Sequence, residues 1–202
     1  MKLYHAAASP FVRKVMVCLH ETKQLDAVTL VPATGHPTDP GTMPVAHNPL
    51  GKLPTLVRDD GPALYDSTVI CQYLSDRAGG ALYPAAPRLW EALTLEATAD
   101  GIMDAAVLMV YEARSRPADK QDPAWVEAQW TKVSRALTTL ESRWMGYLAG
   151  PLDIGLIATG CALSYLDFRH PDRDWRASYP ALDTWHRSFS ERDSMHKTAP
   201  EG

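Results

Sequence analysis

Residues 54–70 read Pro54-Thr55-Leu56-Val57-Arg58-Asp59-Asp60-Gly61-Pro62-Ala63-Leu64-Tyr65-Asp66-Ser67-Thr68-Val69-Ile70. Two short strand-forming runs flank Asp59-Asp60-Gly61, residue types that readily adopt turn conformations, so 54–58 and 63–65 are expected to pair as a hairpin. A helix is expected from Ser67, because Val69, Ile70, Tyr73 and Leu74 share one side of it.

Working back from this segment, Lys2-Leu3-Tyr4 reads as a strand and residues 27–31 as another. Between them, after Ser9-Pro10, the residues Val12, Val15, Met16 and Leu19 recur at the steps of an amphipathic helix. The order is strand, helix, strand, a stretch of loop or irregular helix, then strand, strand, helix. That is the order of an α/β, thioredoxin-like N-terminal domain.

Working forward, residues 79–87 hold two glycines and two prolines, which cannot continue a helix. The expected division is therefore a domain over 1–79, a linker over 80–87 and an all-helical domain over 88–202. Residues 88–116 form one long helical pattern. Val126, Trp130, Val133, Leu137, Leu140, Trp144 and Leu148 then alternate steps of four and three, as in a packed bundle helix. The stretch 156–166 is apolar nearly all round, so it is expected to run through the bundle centre with Asp153 as its N-cap. A last helix carries Leu182, Trp185 and Phe189, and the six tryptophans are expected in the core.

The chain has 202 residues, 46% of them apolar, enough to fill a genuine core. Its formal net charge is -4, and the acidic excess falls after residue 79, so there is no basic surplus for nucleic acid. No apolar run approaches the length of a membrane span, and the first residues lack the apolar stretch of a secretory signal; a cytoplasmic protein is expected. Cys18, Cys71 and Cys161 form no CxxC pair and read as small buried hydrophobes. The seven histidines show no metal-ligand spacing, so no metal is expected. Asp100 and Asp104, one turn apart, read as an exposed acidic face.

Three segments in this order, Ser9-Pro10-Phe11-Val12-Arg13-Lys14-Val15, Asn48-Pro49-Leu50-Gly51-Lys52-Leu53-Pro54-Thr55-Leu56 and Leu64-Tyr65-Asp66-Ser67-Thr68-Val69-Ile70, resemble the glutathione transferase family. The helical remainder is similar to that family's C-terminal half. Residues 99–105 and Tyr165-Leu166-Asp167-Phe168-Arg169 look like a bacterial branch of it. The resemblance covers essentially the whole chain and implies a serine-type enzyme that joins glutathione, as co-substrate, to a small electrophile. It further implies a role in detoxification and a two-fold homodimer, across whose interface Asp100 and Asp104 could approach the glutathione ammonium, the alternative to their reading as an exposed acidic face.

The residues can be read beside the resemblance. A thiolate is the nucleophile, yet a free thiol with a pKa near about 8.5 is only a few per cent ionised at neutral pH. Ser9 stands before Pro10, a residue suited to the first helical position, so its hydroxyl and the helix's positive end face the same point. The resemblance gives Ser9 the thiolate hydrogen bond; a plain N-cap is the other reading, and one residue can serve both. Leu53-Pro54, entering a strand, is a candidate cis bond, against an ordinary trans proline. By resemblance Leu53 pairs with the cysteinyl backbone of glutathione, and Lys52 beside it meets the glycyl carboxylate or stays solvated. Asp66 offers an acid for an ammonium, and Ser67 an amide and hydroxyl for a carboxylate, the two charges of a γ-glutamyl group; a simple helix cap is the alternative.

The acceptor is expected between the domains near Phe11, Met103, Val107 and Tyr111. Two other functions fit the same fold: a non-catalytic, partner-binding regulator, and a glutathione-dependent peroxidase or isomerase. One departure from the family pattern stands out: Asp153 is followed three residues later by Leu156, so the usual reciprocal capping bond is missing.

Overall fold

The computed structural model describes residues 1–80 and 82–200; Ala81, inside the expected linker, and the last two residues of the expected helical half lie outside them. β1 (Lys2–His5) is the middle of a three-stranded sheet, with β2 (Thr29–Pro32) parallel on one side and β3 (Thr55–Val57) antiparallel on the other. α1 (Pro10–Glu21) crosses from β1 to β2, and α2 (Ser67–Arg77) follows β3 and packs on α1.

Two strand expectations need correction. β2 begins at Thr29 rather than Ala27, because Leu25–Ala27 closes a 3-10 turn, with the Val28 amide donating to the Leu25 carbonyl at 3.0 Å. The hairpin's second arm is reduced to one residue, Leu64, which exchanges both backbone hydrogen bonds with Leu56 at 3.0 and 2.8 Å. Pro62 has no N–H to give, and its carbonyl accepts from Arg58 Nε at 3.0 Å, so a side chain takes the place of the next ladder bond.

The remainder is helical, as expected. α3 (Arg88–Ser115) is a single long helix, and α4 (Pro123–Thr139) starts at an Asp122 cap. α4 leads through a π-helical turn at Leu140–Trp144 into α5 (Met145–Leu148). Along the expected stripe Val133, Leu137, Leu140 and Leu148 are buried while Val126, Trp130 and Trp144 are half-buried, and the π-helical turn shifts the phase of the residues that follow it. α6 (Ile154–Arg169), α7 (Trp175–Ser178), α8 (Pro180–Ser190) and α9 (Asp193–Lys197) complete the chain. Of the six tryptophans only Trp175 is fully buried; Trp90, on the first turn of α3, is 64% exposed.

α6 is the axis of the helical half, with every residue of 154–163 buried, as its apolar circumference requires. It lies against α3 at a glycine: a methyl group on Gly155 would stand 2.8 Å from Leu95 Cβ and 3.1 Å from the Ala92 carbonyl. Asp153 caps it, accepting from the Leu156 amide at 3.2 Å. The missing reciprocal bond has a substitute, because the second Asp153 oxygen accepts from Tyr147 Oη at 2.6 Å and from Arg88 at 3.1 Å. The core then runs unbroken from Leu3, Leu56 and Ile70 to Leu95, Ile157 and Leu166, so sheet and bundle share one apolar interior. Among the described residues no helix is long and apolar enough to cross a membrane.

Candidate active site

Ser9 ends the turn after β1, its amide bonded to the Ala6 carbonyl at 3.1 Å. Its hydroxyl accepts from the Val12 amide at 3.3 Å, and Pro10 opens α1, so the helix start has the form expected from Ser-Pro. Ser9 is half-buried and therefore open to a ligand at this helix terminus.

The loop into β3 is shaped by Asn48, only 1% exposed. Its amide nitrogen donates to the Lys52 carbonyl at 3.0 Å and Thr55 Oγ1 at 3.2 Å, while its oxygen accepts from the Leu50 amide at 3.0 Å. Gly51 takes a φ of 59°, which lets the loop double back on this side chain. The Leu53-Pro54 bond is cis. The Leu53 N–H and carbonyl find no hydrogen-bond partner among the described residues. This leaves a donor and an acceptor just ahead of β3, in the arrangement an extended peptide needs to add alongside.

Asp66 caps α2, accepting from the Thr68 amide at 3.1 Å, and its own side chain is exposed; Ser67 is the buried first residue of the helix. Behind them lies a cluster of charges joining the two halves of the chain. Lys14 of α1 is fully buried, with Nζ 3.0 Å from Glu96 Oε1 and 2.7 and 2.8 Å from the two oxygens of Asp100 on α3. Thr68 Oγ1 donates to Asp100 at 3.1 Å, and Tyr83 Oη donates to Glu96 at 3.1 Å. Burial raises the Glu96 carboxyl against the pull of Lys14. The Tyr83 phenol is raised far beyond its ordinary range by burial and the facing Glu96. Asp100 is thus part of a buried ion cluster, a correction to the exposed acidic face expected of it.

Asp104, one turn on, is exposed, with charged groups of both halves of the chain acting on it. Loss of water raises its carboxyl; Lys52 opposes the shift, while Asp100 and Asp66 add to it. Lys52 and Asp66 are therefore brought to the same stretch of α3. Phe11 and Val107 are half-buried and Tyr111 is 37% exposed, but Met103 is sealed at 0% in the core and backs the cleft without lining it.

One arrangement resembling a hydrolase triad has no base. Ser164 Oγ lies 2.9 Å from His186 Nε2, and Asp167 lies 3.9 Å from Nδ1. Arg176 reaches Nδ1 at 2.8 Å and can only donate, so Nδ1 accepts, Nε2 carries the proton and no lone pair faces the serine. Among the described residues no group of three or more His, Cys, Asp or Glu is placed to hold a metal ion.

Residues 8–77 match the family model "Glutathione S-transferase, N-terminal domain", and residues 123–188 match "Glutathione S-transferase, C-terminal domain". The chain belongs to the glutathione transferase family. It is 33% identical to the uncharacterized GST-like protein YibF of Escherichia coli K12 over 99% of this chain and 98% of that one. A glutathione transferase family member from Pseudomonas fluorescens Pf-5 with bound glutathione is 45% identical, with a TM-score of 0.96 over 100% of this chain and 99% of that one. The same Pseudomonas source provides a structure with bound S-(propanoic acid)-glutathione, also 45% identical, at a TM-score of 0.92 over the whole of both chains. A glutathione S-transferase from Methylobacillus flagellatus with glutathione bound is 35% identical, with a TM-score of 0.88 over 99% of each chain.

In this glutathione transferase family chain, reading the sequence missed Lys14, Glu96, Thr68 and the structural part of Asn48. Lys14 and Glu96 carry no local signal, because each looks like a solvated helix residue until the helices are packed. Asn48 had one: an Asn-Pro pair ahead of a glycine marks a turn that a side-chain amide can bridge.

Proposed function

We propose that the protein is a glutathione-conjugating enzyme, in which Ser9 hydrogen-bonds the glutathione thiolate and the sulfur attacks a small electrophile held between the two halves. The observation that carries this reading is the pair of opposite charges, Asp66 and Lys52, gathered on one cleft about the unpartnered backbone of Leu53. Glutathione is an extended peptide with an ammonium and a carboxylate at one end and a second carboxylate at the other. Asp66 takes the ammonium, the Ser67 amide and hydroxyl take the neighbouring carboxylate, Leu53 pairs with the cysteinyl backbone, and Lys52 faces the glycyl carboxylate.

That placement sets the sulfur at the start of α1. The positive helix end and the Ser9 hydroxyl both favour the thiolate, so the pKa of the bound thiol falls toward neutrality and the nucleophile is present before the electrophile arrives. The complexes of the Pseudomonas relative with glutathione and with a glutathione thioether support a cleft that holds both tripeptide and adduct. The reading includes a division between the domains at 80–87, a homodimer and a cytoplasmic setting.

Calorimetry with glutathione, followed by a panel of electrophiles and a hydroperoxide, tests it. Binding with turnover of alkyl or aryl electrophiles is expected. Binding with turnover of the hydroperoxide alone makes the protein a peroxidase, and no glutathione binding makes it a regulator of the same fold.

A further inference from the structure

α3 and α6 run side by side in the same direction: Gly155 abuts Ala92 and Leu95, and His170, just past the end of α6, meets the Ala106 carbonyl at 3.0 Å. Beyond Ala106, α3 continues for nine residues, about 13 Å, past the end of its partner. One side of the C-terminal part of α3 faces the N-terminal half at two points, just before and at the far end of this overhang. Asp104 stands beside Lys52 and Asp66, and Ser115 Oγ meets His36 Nε2 at 3.0 Å. Between these two contacts, Val107, Tyr111 and Arg114 follow at three- and four-residue steps, so they line the side of α3 that looks along the cleft and toward α6.

From α6, Tyr165 and Arg169, one turn apart, come to the same corner. Tyr111, Arg114 and Arg169 all act on the Tyr165 phenol, which burial holds above its ordinary pKa and therefore protonated as a donor. Neither arginine has a carboxylate partner among the described residues. Arg169 is held over the Phe168 ring, with its guanidinium carbon 3.9 Å from the ring centre, and its buried Nε has no hydrogen-bond partner. Two guanidinium groups, one of them with its buried Nε unused, and two phenols thus converge with no carboxylate partner among them. Protein groups so placed are normally paired, since an unpaired buried donor costs about 1–3 kcal/mol.

We infer that this corner recognises a carboxylate on the acceptor, so that the preferred electrophiles are small carboxylic acids, with Arg169 and Arg114 holding the anion and Tyr165 and Tyr111 bordering it. The inference rests on the glutathione-conjugating reading above. A guanidinium suits this ligand because its planar fork matches a carboxylate, and Phe168 limits the freedom it loses on binding. A 3-halopropanoate illustrates the reaction. The thiolate sulfur attacks the carbon bearing the halogen, the S–C bond forms as the C–halogen bond breaks, and halide leaves with the bonding pair. The carboxylate is unchanged and stays on the arginines, which aims the carbon at the sulfur.

The test compares two adducts that differ only in charge, S-(2-carboxyethyl)glutathione and its amide, S-(2-carbamoylethyl)glutathione, by calorimetry on the intact protein. The wild type is expected to bind the acid about tenfold more tightly than the amide, the ratio that one partly desolvated charge-assisted contact supplies. Arg169→Gln and Arg114→Gln should each shrink that ratio, and the double variant should bring it to about one, with glutathione affinity within about twofold of wild type. Arg169→Lys, which keeps the charge, should retain most of the preference; a merely structural Arg169 would change both adducts and glutathione alike. Equal affinities in the wild type, or a preference that survives the double variant, overturn the inference while glutathione binding leaves the parent reading standing. Failure to bind glutathione takes down both. The wild-type comparison and exposed Arg114 keep the test decisive even if variants at Arg169 do not fold.

Discussion

The Lys14 ammonium lies 3.0 Å from Glu96 Oε1 across the boundary between sheet and bundle, with neither side chain reaching solvent appreciably. A charge in this position is held only by its partners. Two carboxylates, Glu96 and Asp100, share it, and Thr68 ties Asp100 to the first turn of α2 directly behind Asp66. Lys14→Met leaves Glu96 buried without a counter-ion and should cost about 3–5 kcal/mol in urea unfolding. Lys14→Met with Glu96→Gln should recover a large part of that loss, because the orphaned charge is gone. A Lys14→Met protein as stable as wild type would show that the cluster is already neutral.

The Asp153 network supplies a second stability prediction. Asp153→Ser keeps an N-cap for α6 but offers no charge to Arg88 and no second acceptor to Tyr147, whereas Asp153→Ala removes all three. Loss of a cap costs about 0.5–2 kcal/mol, so Ala should be the more destabilising by roughly that amount, measured by chemical unfolding. Equal stabilities would mean that Arg88 and Tyr147, not the cap, are what Asp153 contributes.

Acid sensitivity follows from His186. Burial, with Arg176 adding to it, lowers its pKa to about 4, and burial also lowers His5 and His170. In the unfolded chain a histidine titrates near 6.5. The neutral ring's stabilisation is therefore fully present above pH 6.5 and is lost as pH falls from 6.5 toward 4, at up to about 1.4 kcal/mol per unit for His186. Urea unfolding at pH 7 and pH 5 should show a clear loss, and His186→Gln should shrink the difference between the two. A difference unchanged in the variant would assign the sensitivity to other groups.

These residues also mark how far the sequence could be read. Ser9-Pro10 and Asp66-Ser67 are local features, in which a side chain caps the backbone two or three residues on, so their conformations were legible without the rest of the fold. The buried α6 was legible because its apolar circumference leaves no face for water. Lys14 and Glu96 were not, since 82 residues separate them and the burial of each depends on the other. Trp90 was misread for the opposite reason: apolar composition says a residue favours the core without saying which face of α3 the core takes. The second hairpin arm failed through Pro62 and Arg58, where a side-chain hydrogen bond competes with the ladder in a way that strand propensity does not register.

Ser9 and Asp66 should fail differently when removed. Asp66→Ala leaves the glutathione ammonium unpaired, and its cost should appear first in binding, at about 2 kcal/mol or more where the site is desolvated. Asp66 is also the α2 cap, so Asp66→Asn, which keeps a capping oxygen but not the charge, separates the two contributions. Ser9→Ala removes one donor to the sulfur, and glutathione should still bind. The bound thiol's pKa, followed by thiolate absorbance against pH, should rise, and conjugation at neutral pH should slow about tenfold for each 1.4 kcal/mol of thiolate stabilisation lost. Ser9 also caps α1, so a stability loss of about 1 kcal/mol should accompany the change without weakening glutathione binding in proportion. If Ser9→Ala left thiol pKa and rate untouched while Asp66→Asn weakened binding, the glutathione site would stand and the serine's role would fall. Thiolate stabilisation would then belong to the amides and dipole of the α1 terminus alone.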